Sequence, residues 1–325
     1  MFSVKEAGFE NLALDVFSFQ SRHNPVYKSY LEVLQIVPLS VKKMEQIPFL
    51  PISFFKSREV LTTSFEPQAI FESSGTTESF KSRHILRDLS LYEKSFINGF
   101  ERFYGPPKDW CILGLLPSYL ERNNSSLIYM VKKLIQLSGH EQSGFYLDEF
   151  DKLFNVLNEL EKQKKKTLLV GVTFALLDFA EKYSLPLQHT IIMETGGMKG
   201  RREEMVRNGV HAILKKAFHL SSVHSEYGMT ELLSQAYSKG DGIFQCPLWM
   251  KVMARDEEDP LELHMSFSKN MSYVSGAINV IDLANIYSCS FIATDDIGRI
   301  YKDKSFEVLG RMDNSDLRGC SLMTI

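Results

Sequence analysis

Between residues 88 and 195 the chain alternates amphipathic helical stretches with short, continuously apolar runs, and this alternation constrains the fold more than any other feature. Helical patterns over 88–103, 125–137 and 147–164 flank two runs that read as buried strands. These are Trp110-Cys111-Ile112-Leu113-Gly114-Leu115-Leu116-Pro117 and Thr167-Leu168-Leu169-Val170-Gly171-Val172. Another helix ends near Tyr183, and Thr190-Ile191-Ile192-Met193-Glu194-Thr195 reads as the next strand, leading into Gly196-Gly197. Strands without polar alternation, joined by helices, predict an α/β architecture with a mostly parallel sheet.

Upstream, 9–36 reads as helix broken at Asn24-Pro25. The prolines of Ile47-Pro48-Phe49-Leu50-Pro51-Ile52-Ser53-Phe54-Phe55-Lys56 predict an extended apolar loop, packed in the core or lining an acyl pocket. After Glu231 the texture changes. Segments 249–254, 276–281, 288–293 and 306–309 read as short strands of a smaller, barrel-like β-rich subdomain. The expected division is an α/β core over 1–240, a β-rich subdomain over 241–310 and a hinge-like tail over 311–325.

Composition excludes several classes. A net charge of −3 leaves no basic excess for neutralising phosphates, so no nucleic-acid partner is expected. The four cysteines, Cys111, Cys246, Cys289 and Cys320, are far apart and form no C-x-x-C pair, which argues against a zinc site or disulfide framework. The N-terminus carries mixed charge and no apolar run, and the most apolar segment, 168–177, is about half the length of a membrane span. A cytoplasmic protein without a transmembrane segment is expected.

One loop invites a ligand. Ser73-Ser74-Gly75-Thr76-Thr77-Glu78-Ser79-Phe80-Lys81 gathers hydroxyls around one glycine, with a lysine shortly after, behind a short apolar run at Ile70-Phe71. Backbone N–H groups and hydroxyls in such a loop can form an anion-binding concavity. Clusters of this composition are also ordinary turn chemistry, and the P-loop pattern of two glycines and a Gly-Lys-Ser/Thr ending is absent.

Four later features lend the loop meaning: Ser225-Glu226-Tyr227-Gly228-Met229-Thr230-Glu231, Thr294-Asp295-Asp296-Ile297-Gly298-Arg299, Gly310-Arg311-Met312-Asp313 and the pair Gly196-Gly197. Singly, each reads as a turn or a helix-end acid. In this order, over nearly the whole chain, they resemble the adenylate-forming superfamily of acyl-CoA synthetases, luciferases and peptide-synthetase adenylation domains. The wording of 49–56, 193–201 and 232–237 is similar to the acyl-protein synthetase (LuxE-type) branch.

The resemblance implies the superfamily's large α/β domain followed by a smaller β-rich part, with ATP and Mg²⁺ as cofactors. It places Ser73, Ser74, Gly75, Thr76 and Thr77 on the triphosphate. Tyr227 would stack on adenine beside Gly228 and Met229, with Gly196 and Gly197 also against the nucleotide. Thr230 would contact the α-phosphate, Glu231 would hold Mg²⁺, Asp296 would accept the ribose hydroxyls, and Arg311 would sit near ribose or phosphate. Cys320 matches the cysteine near the C-terminus of acyl-protein synthetases that takes the acyl group as a thioester, and Arg318 stands ready to lower its pKa.

Three departures stand out. Glu78 replaces the glycine that commonly follows the double threonine, and Asp295 replaces the glycine of Thr-Gly-Asp. The superfamily's C-terminal lysine domain is not expected after Asp313, so either Lys81, Arg83 or Arg311 takes over its charge stabilisation, or adenylation is slow or needs a partner. The implied activity is ATP-dependent activation of a fatty or other carboxylic acid to acyl-AMP and transfer to Cys320, with an acyl-CoA-reductase-like or carrier-protein partner downstream. Transfer to a CoA or carrier-protein thiol is the alternative ligase reading. A non-catalytic nucleotide-binding scaffold is the alternative from another class.

Overall fold

The structure, a computed structural model, describes residues 1–73, 81–117, 124–197, 205–264, 267 and 272–312. Two helices open the chain, α1 (Glu6–His23) and α2 (Pro25–Val33). They part where the sequence parts them. Asn24 Oδ1 accepts the Tyr27 N–H at 3.0 Å, and Pro25 occupies the first helical turn, where no N–H is needed.

The proline-bearing segment is only partly extended. Leu50–Pro51 forms β1, pairing in parallel with Ile292 and Ala293, and Phe54–Ser57 then makes a one-turn helix, α3. Both prolines precede that turn, so neither interrupts its bond from Arg58 N–H to Phe54 O at 2.8 Å. Ile47, Phe49, Leu50 and Phe55 are buried, and Phe49 packs edge-on against Phe291, which is the core-packing role.

The strands on either side of the hydroxyl-rich stretch, β2 (Ala69–Glu72) and β3 (Arg83–Leu86), pair antiparallel as a separate hairpin. The alternation predicted from sequence follows: α4 (Leu89–Tyr104), β4 (Cys111–Leu115), α5 (Ser126–Ser138), β5 (Gly144–Phe145), α6 (Phe150–Lys162) and β6 (Thr167–Gly171). It continues through α7 (Thr173–Lys182), β7 (Thr190–Glu194), α8 (Arg207–Phe218) and β8 (His224–Tyr227). Strands β5-β4-β6-β7-β8 lie side by side and all parallel. Every residue of β4 and β6 is buried, so the sheet is covered on both faces.

After β8 the pairing turns antiparallel. The strands β9 (Ala236–Ser238), β10 (Ile243–Gln245), β11 (Met250–Arg255), β12 (Tyr273–Asp282), β13 (Phe291–Tyr301) and β14 (Phe306–Arg311) continue it in the order β8-β9-β10-β14-β13-β12-β11. The strands of 241–310 extend the main sheet through β9 and β10. Thr294-Asp295-Asp296 lies inside β13 and is therefore strand, not a turn before Gly298. Among the described residues no helix is long and apolar enough to cross a membrane.

Candidate active site

The parallel register sets Met193 opposite His224 and Glu194 opposite Ser225. Gly196-Gly197 and the turn Gly228-Met229-Thr230-Glu231 therefore leave the sheet at one edge, beyond the carboxyl ends of β7 and β8, where open α/β sheets bind ligands. Gly196 and Gly197 have φ of 72° and 88°, the left-handed region that a side chain resists.

Across this edge β13 and β14 bring Asp296 opposite Arg311. Asp296 is buried, and the Tyr227 hydroxyl donates to its Oδ2 at 2.8 Å while Arg311 Nε stands 3.5 Å from Oδ1. Burial pushes the Asp296 carboxyl up, and the Arg311 charge and the Tyr227 bond work against it. The Arg311 side chain is 78% exposed, so the pair orients more than it stabilises. Tyr227 is itself enclosed, its ring against Phe244 and edge-on to Phe306. Its hydroxyl thus occupies one acceptor position of Asp296, leaving further lone pairs for other donors. Behind them Arg255 donates to Thr294 O at 2.8 Å and to Ile278 O at 3.0 Å, fixing the strand that carries Asp296.

The hairpin reaches the same edge. Its neck is closed by Ser73 and Ser82: Ser73 N–H donates to Ser82 O at 3.0 Å, and Ser82 N–H donates to Ser73 Oγ at 2.9 Å. Lys81 is half-buried beside that neck. His84 Nδ1 lies 2.8 Å from Thr230 O. Burial lowers the His84 pKa to about 4, so the ring is neutral at pH 7 and its Nδ1–H donates to that carbonyl. The Thr230 hydroxyl makes no hydrogen bond among the described residues and stays half-exposed. The Glu231 carboxyl is buried, which raises its pKa, while the Ser82 hydroxyl and the charges of Arg311 and Lys56 hold it down.

Two carboxylates that sequence reasoning left without a role hold these pieces in place. Asp282, at the end of β12, accepts from Leu233 N–H (2.8 Å), Ser234 N–H (2.9 Å), Ser234 Oγ–H (2.6 Å) and Ala284 N–H (3.0 Å), pinning the chain just after Glu231. Glu194 Oε2 accepts the Gly196 N–H at 2.7 Å and the Thr173 hydroxyl at 3.2 Å; Oε1 meets Arg207 Nε at 3.2 Å and His211 Nε2 at 3.7 Å. Burial alone would raise the Glu194 carboxyl, but bonds from His211, Ser225 and Gly196 and the Arg207 charge outweigh it and bring it to about 2.

An unfolded glutamate titrates near pH ~4.3, so the contribution of Glu194, on the order of 3 kcal/mol, is complete above that pH and is lost as pH falls towards 2. Glu194→Gln is expected to flatten the acid limb of a Tm-against-pH curve between pH ~4 and ~2, a difference that thermal unfolding reads directly.

The structure therefore brings together Ser73, Thr230, Glu231, Tyr227, Asp296 and Arg311, with Gly196-Gly197, Gly228 and Met229 on the same edge. Ser74, Gly75, Thr76, Thr77, Glu78, Asp313, Arg318 and Cys320 lie outside the described residues. Sequence reasoning missed His84, Lys56, Asp282 and Glu194. The last two were signalled by an acid at the end of an apolar strand run, an expensive place for a charge without a task.

Among solved structures, an ATP-bound MatB from Rhodopseudomonas palustris superposes with a TM-score of 0.55 at 17% identity, over 78% of this chain and 49% of that one. A long-chain-fatty-acid–CoA ligase from Archaeoglobus fulgidus gives 0.50 at 15% identity, over 75% and 51%. The chain spans about half the length of these structures, and at such identities the likeness is one of fold, that of adenylate-forming enzymes. A long-chain-fatty-acid–luciferin-component ligase of Aliivibrio fischeri is 23% identical over an alignment of 342 positions, covering 96% of this chain and 86% of that protein. The family model described as acyl-protein synthetase, LuxE, matches residues 3–324. Fold, edge residues and family match agree: the chain belongs to the LuxE acyl-protein synthetase family.

Proposed function

We propose that this chain activates a fatty acid with ATP, forming acyl-AMP and pyrophosphate, and then takes the acyl group onto Cys320 as a thioester. The observation that carries the reading is the meeting of Tyr227, Asp296 and Arg311 with Thr230 and Glu231 at one sheet edge, in a member of this family. The name of the Aliivibrio fischeri relative supports a long-chain fatty acid as the substrate.

The residues present fit the nucleotide. A buried carboxylate with spare lone pairs suits ribose hydroxyls, and the unbonded Thr230 hydroxyl suits a phosphate oxygen. Among the described residues no three His, Cys, Asp or Glu residues converge, so Glu231 belongs to no cluster of three or more such ligands. A single carboxylate fits Mg²⁺, which completes its shell with water and phosphate oxygens. Bound there, Mg²⁺ would neutralise phosphate charge. The hydroxyls from Ser73 to Thr77 and the Lys81 ammonium would hold the outer phosphates.

In the first step a carboxylate oxygen of the acid attacks the α-phosphorus and the bond to pyrophosphate breaks. In the second, the Cys320 thiolate attacks the acyl carbon and AMP leaves, its proton having gone to solvent. Positioning and charge stabilisation supply the rate. An acyl-CoA-reductase-like or carrier-protein partner in the cytoplasm would take the acyl group onward.

Labelled fatty acid with MgATP tests the reading. Protein-bound label released by neutral hydroxylamine is expected for the native chain and not for Cys320→Ser. Label that survives in the variant rules out Cys320 as acceptor. Label that appears only on added CoA or carrier-protein thiol favours the alternative ligase.

A further inference from the structure

The face of β8 and β9 opposite the Tyr227 side carries polar groups that acid activation leaves unused. Glu226 stands opposite Tyr237 across the β8–β9 pair. Gly228, two residues along, shares this face: a Cβ there would lie 3.4 Å from Gln235 Cγ and collide with Glu226 Oε1. Glu226 and Gln235 thus flank Gly228, the Glu226 carboxyl lying where a side chain there would go, and Tyr237 faces Glu226 across the strand pair.

Each of the three lacks a partner. Gln235 and Tyr237 are 5% and 2% exposed, yet Gln235 Oε1 and the Tyr237 hydroxyl make no hydrogen bond. The Glu226 carboxyl makes none among the described residues. Burial, with the charge of Glu194 second, raises it to about 8, which keeps it a neutral acid at pH 7. Buried polar groups without partners are costly enough that each calls for a reason, and here two share one face with the half-buried Glu226 carboxyl. The Tyr237 ring has little freedom to seek a partner, because Tyr104 packs edge-on against it and Phe103 lies beside it.

Hydrogen-bond complementarity identifies the missing group. Gln235 Oε1 needs a donor, the Tyr237 proton needs an acceptor, and a neutral Glu226 offers both. A hydroxyl supplies donor and acceptor at one atom. A methylene supplies neither, and an ammonium has no lone pair for the tyrosine proton. On the acyl-activating reading the place would lie towards the reacting end of the acid, since Gly228 stands two residues before Thr230.

We propose that Glu226, Gln235 and Tyr237 form a subsite for a hydroxyl near the carboxyl end of the acyl chain, so that the acid activated is a hydroxylated fatty acid. The inference rests on the acyl-activating reading above and goes beyond it in naming the substrate class.

The test compares dodecanoic acid with its α- and β-hydroxy derivatives and its β-amino derivative, by acid-dependent pyrophosphate release and by calorimetric binding. One hydroxy acid is expected to exceed the plain acid by about tenfold or more in kcat/KM and in affinity. In Tyr237→Phe and in Tyr237→Phe/Gln235→Met that ratio is expected to fall towards one; both changes delete unpartnered polar atoms, so folding is retained. Equal use of plain and hydroxylated acids by the native chain overturns the subsite and leaves the activation reading standing, as does preference for the amino acid. A hydroxyl preference that survives in the double variant also overturns it. Tighter binding of a hydroxy acid without pyrophosphate release from any acid would support the subsite and sink the activation reading.

Discussion

Asp282→Ala is expected to destabilise the chain by about 3–5 kcal/mol, a fall in Tm of roughly 10 °C for a protein of this size. The reason is the number of groups that one carboxylate satisfies. Its two oxygens accept four hydrogen bonds, three of them from backbone N–H groups of Leu233, Ser234 and Ala284, and the site is fully buried. Alanine would leave those N–H groups in a dry interior, each at a cost of about 1–3 kcal/mol. Ser234 would lose the acceptor that orients it towards Trp249 Nε1, which donates to it at 2.9 Å, and Ser95 Oγ at 3.0 Å. Asp282→Asn keeps the shape and one acceptor oxygen, so its loss should be smaller. Urea or thermal unfolding of both variants checks the order, and an alanine variant within about 1 kcal/mol of the native chain would contradict it.

Glu231→Gln should leave folding intact and cut AMP formation by about 10²- to 10³-fold, the size seen when one preorganised contact is removed from an oxyanion hole. Glutamine preserves volume, and the Glu231 backbone carbonyl keeps its bond from Asn285 Nδ2 at 2.7 Å. What changes is the charge that the site has placed, at a desolvation cost, between Ser82, Arg311 and Lys56. Steady-state AMP production across a Mg²⁺ titration, with Tm as the control, separates lost chemistry from lost structure. Activity within about threefold of native would remove Glu231 from the proposed chemistry.

The parts of this architecture that sequence revealed are those encoded locally. Leu168, Leu169 and Val170 are apolar in succession because both faces of β6 are covered, so the parallel block could be read directly. The words at 227–231 and 294–296 are contiguous and were legible through resemblance. Contacts that bind one segment to another were not. His84 reaches Thr230 across 146 positions, and Asp282 reaches Ser234 across 48, with no periodicity to announce either. Tyr227 illustrates the difference within a single residue: resemblance assigns its ring to adenine, whereas the structure also commits its hydroxyl to Asp296 and its ring to Phe244 and Phe306. The one-turn helix α3 escaped because prolines at 48 and 51 dominate the pattern around it, while its own four residues lie just beyond them.

The central claim, that an acid oxygen attacks the α-phosphorus of ATP at this edge, is tested most directly by isotope transfer. A fatty acid labelled with ¹⁸O in its carboxyl group is turned over with MgATP and hydroxylamine as acyl acceptor, and the nucleotide product is weighed by mass spectrometry. The account predicts AMP carrying one ¹⁸O atom from the acid. Unlabelled AMP, or ADP as the nucleotide product, would contradict it.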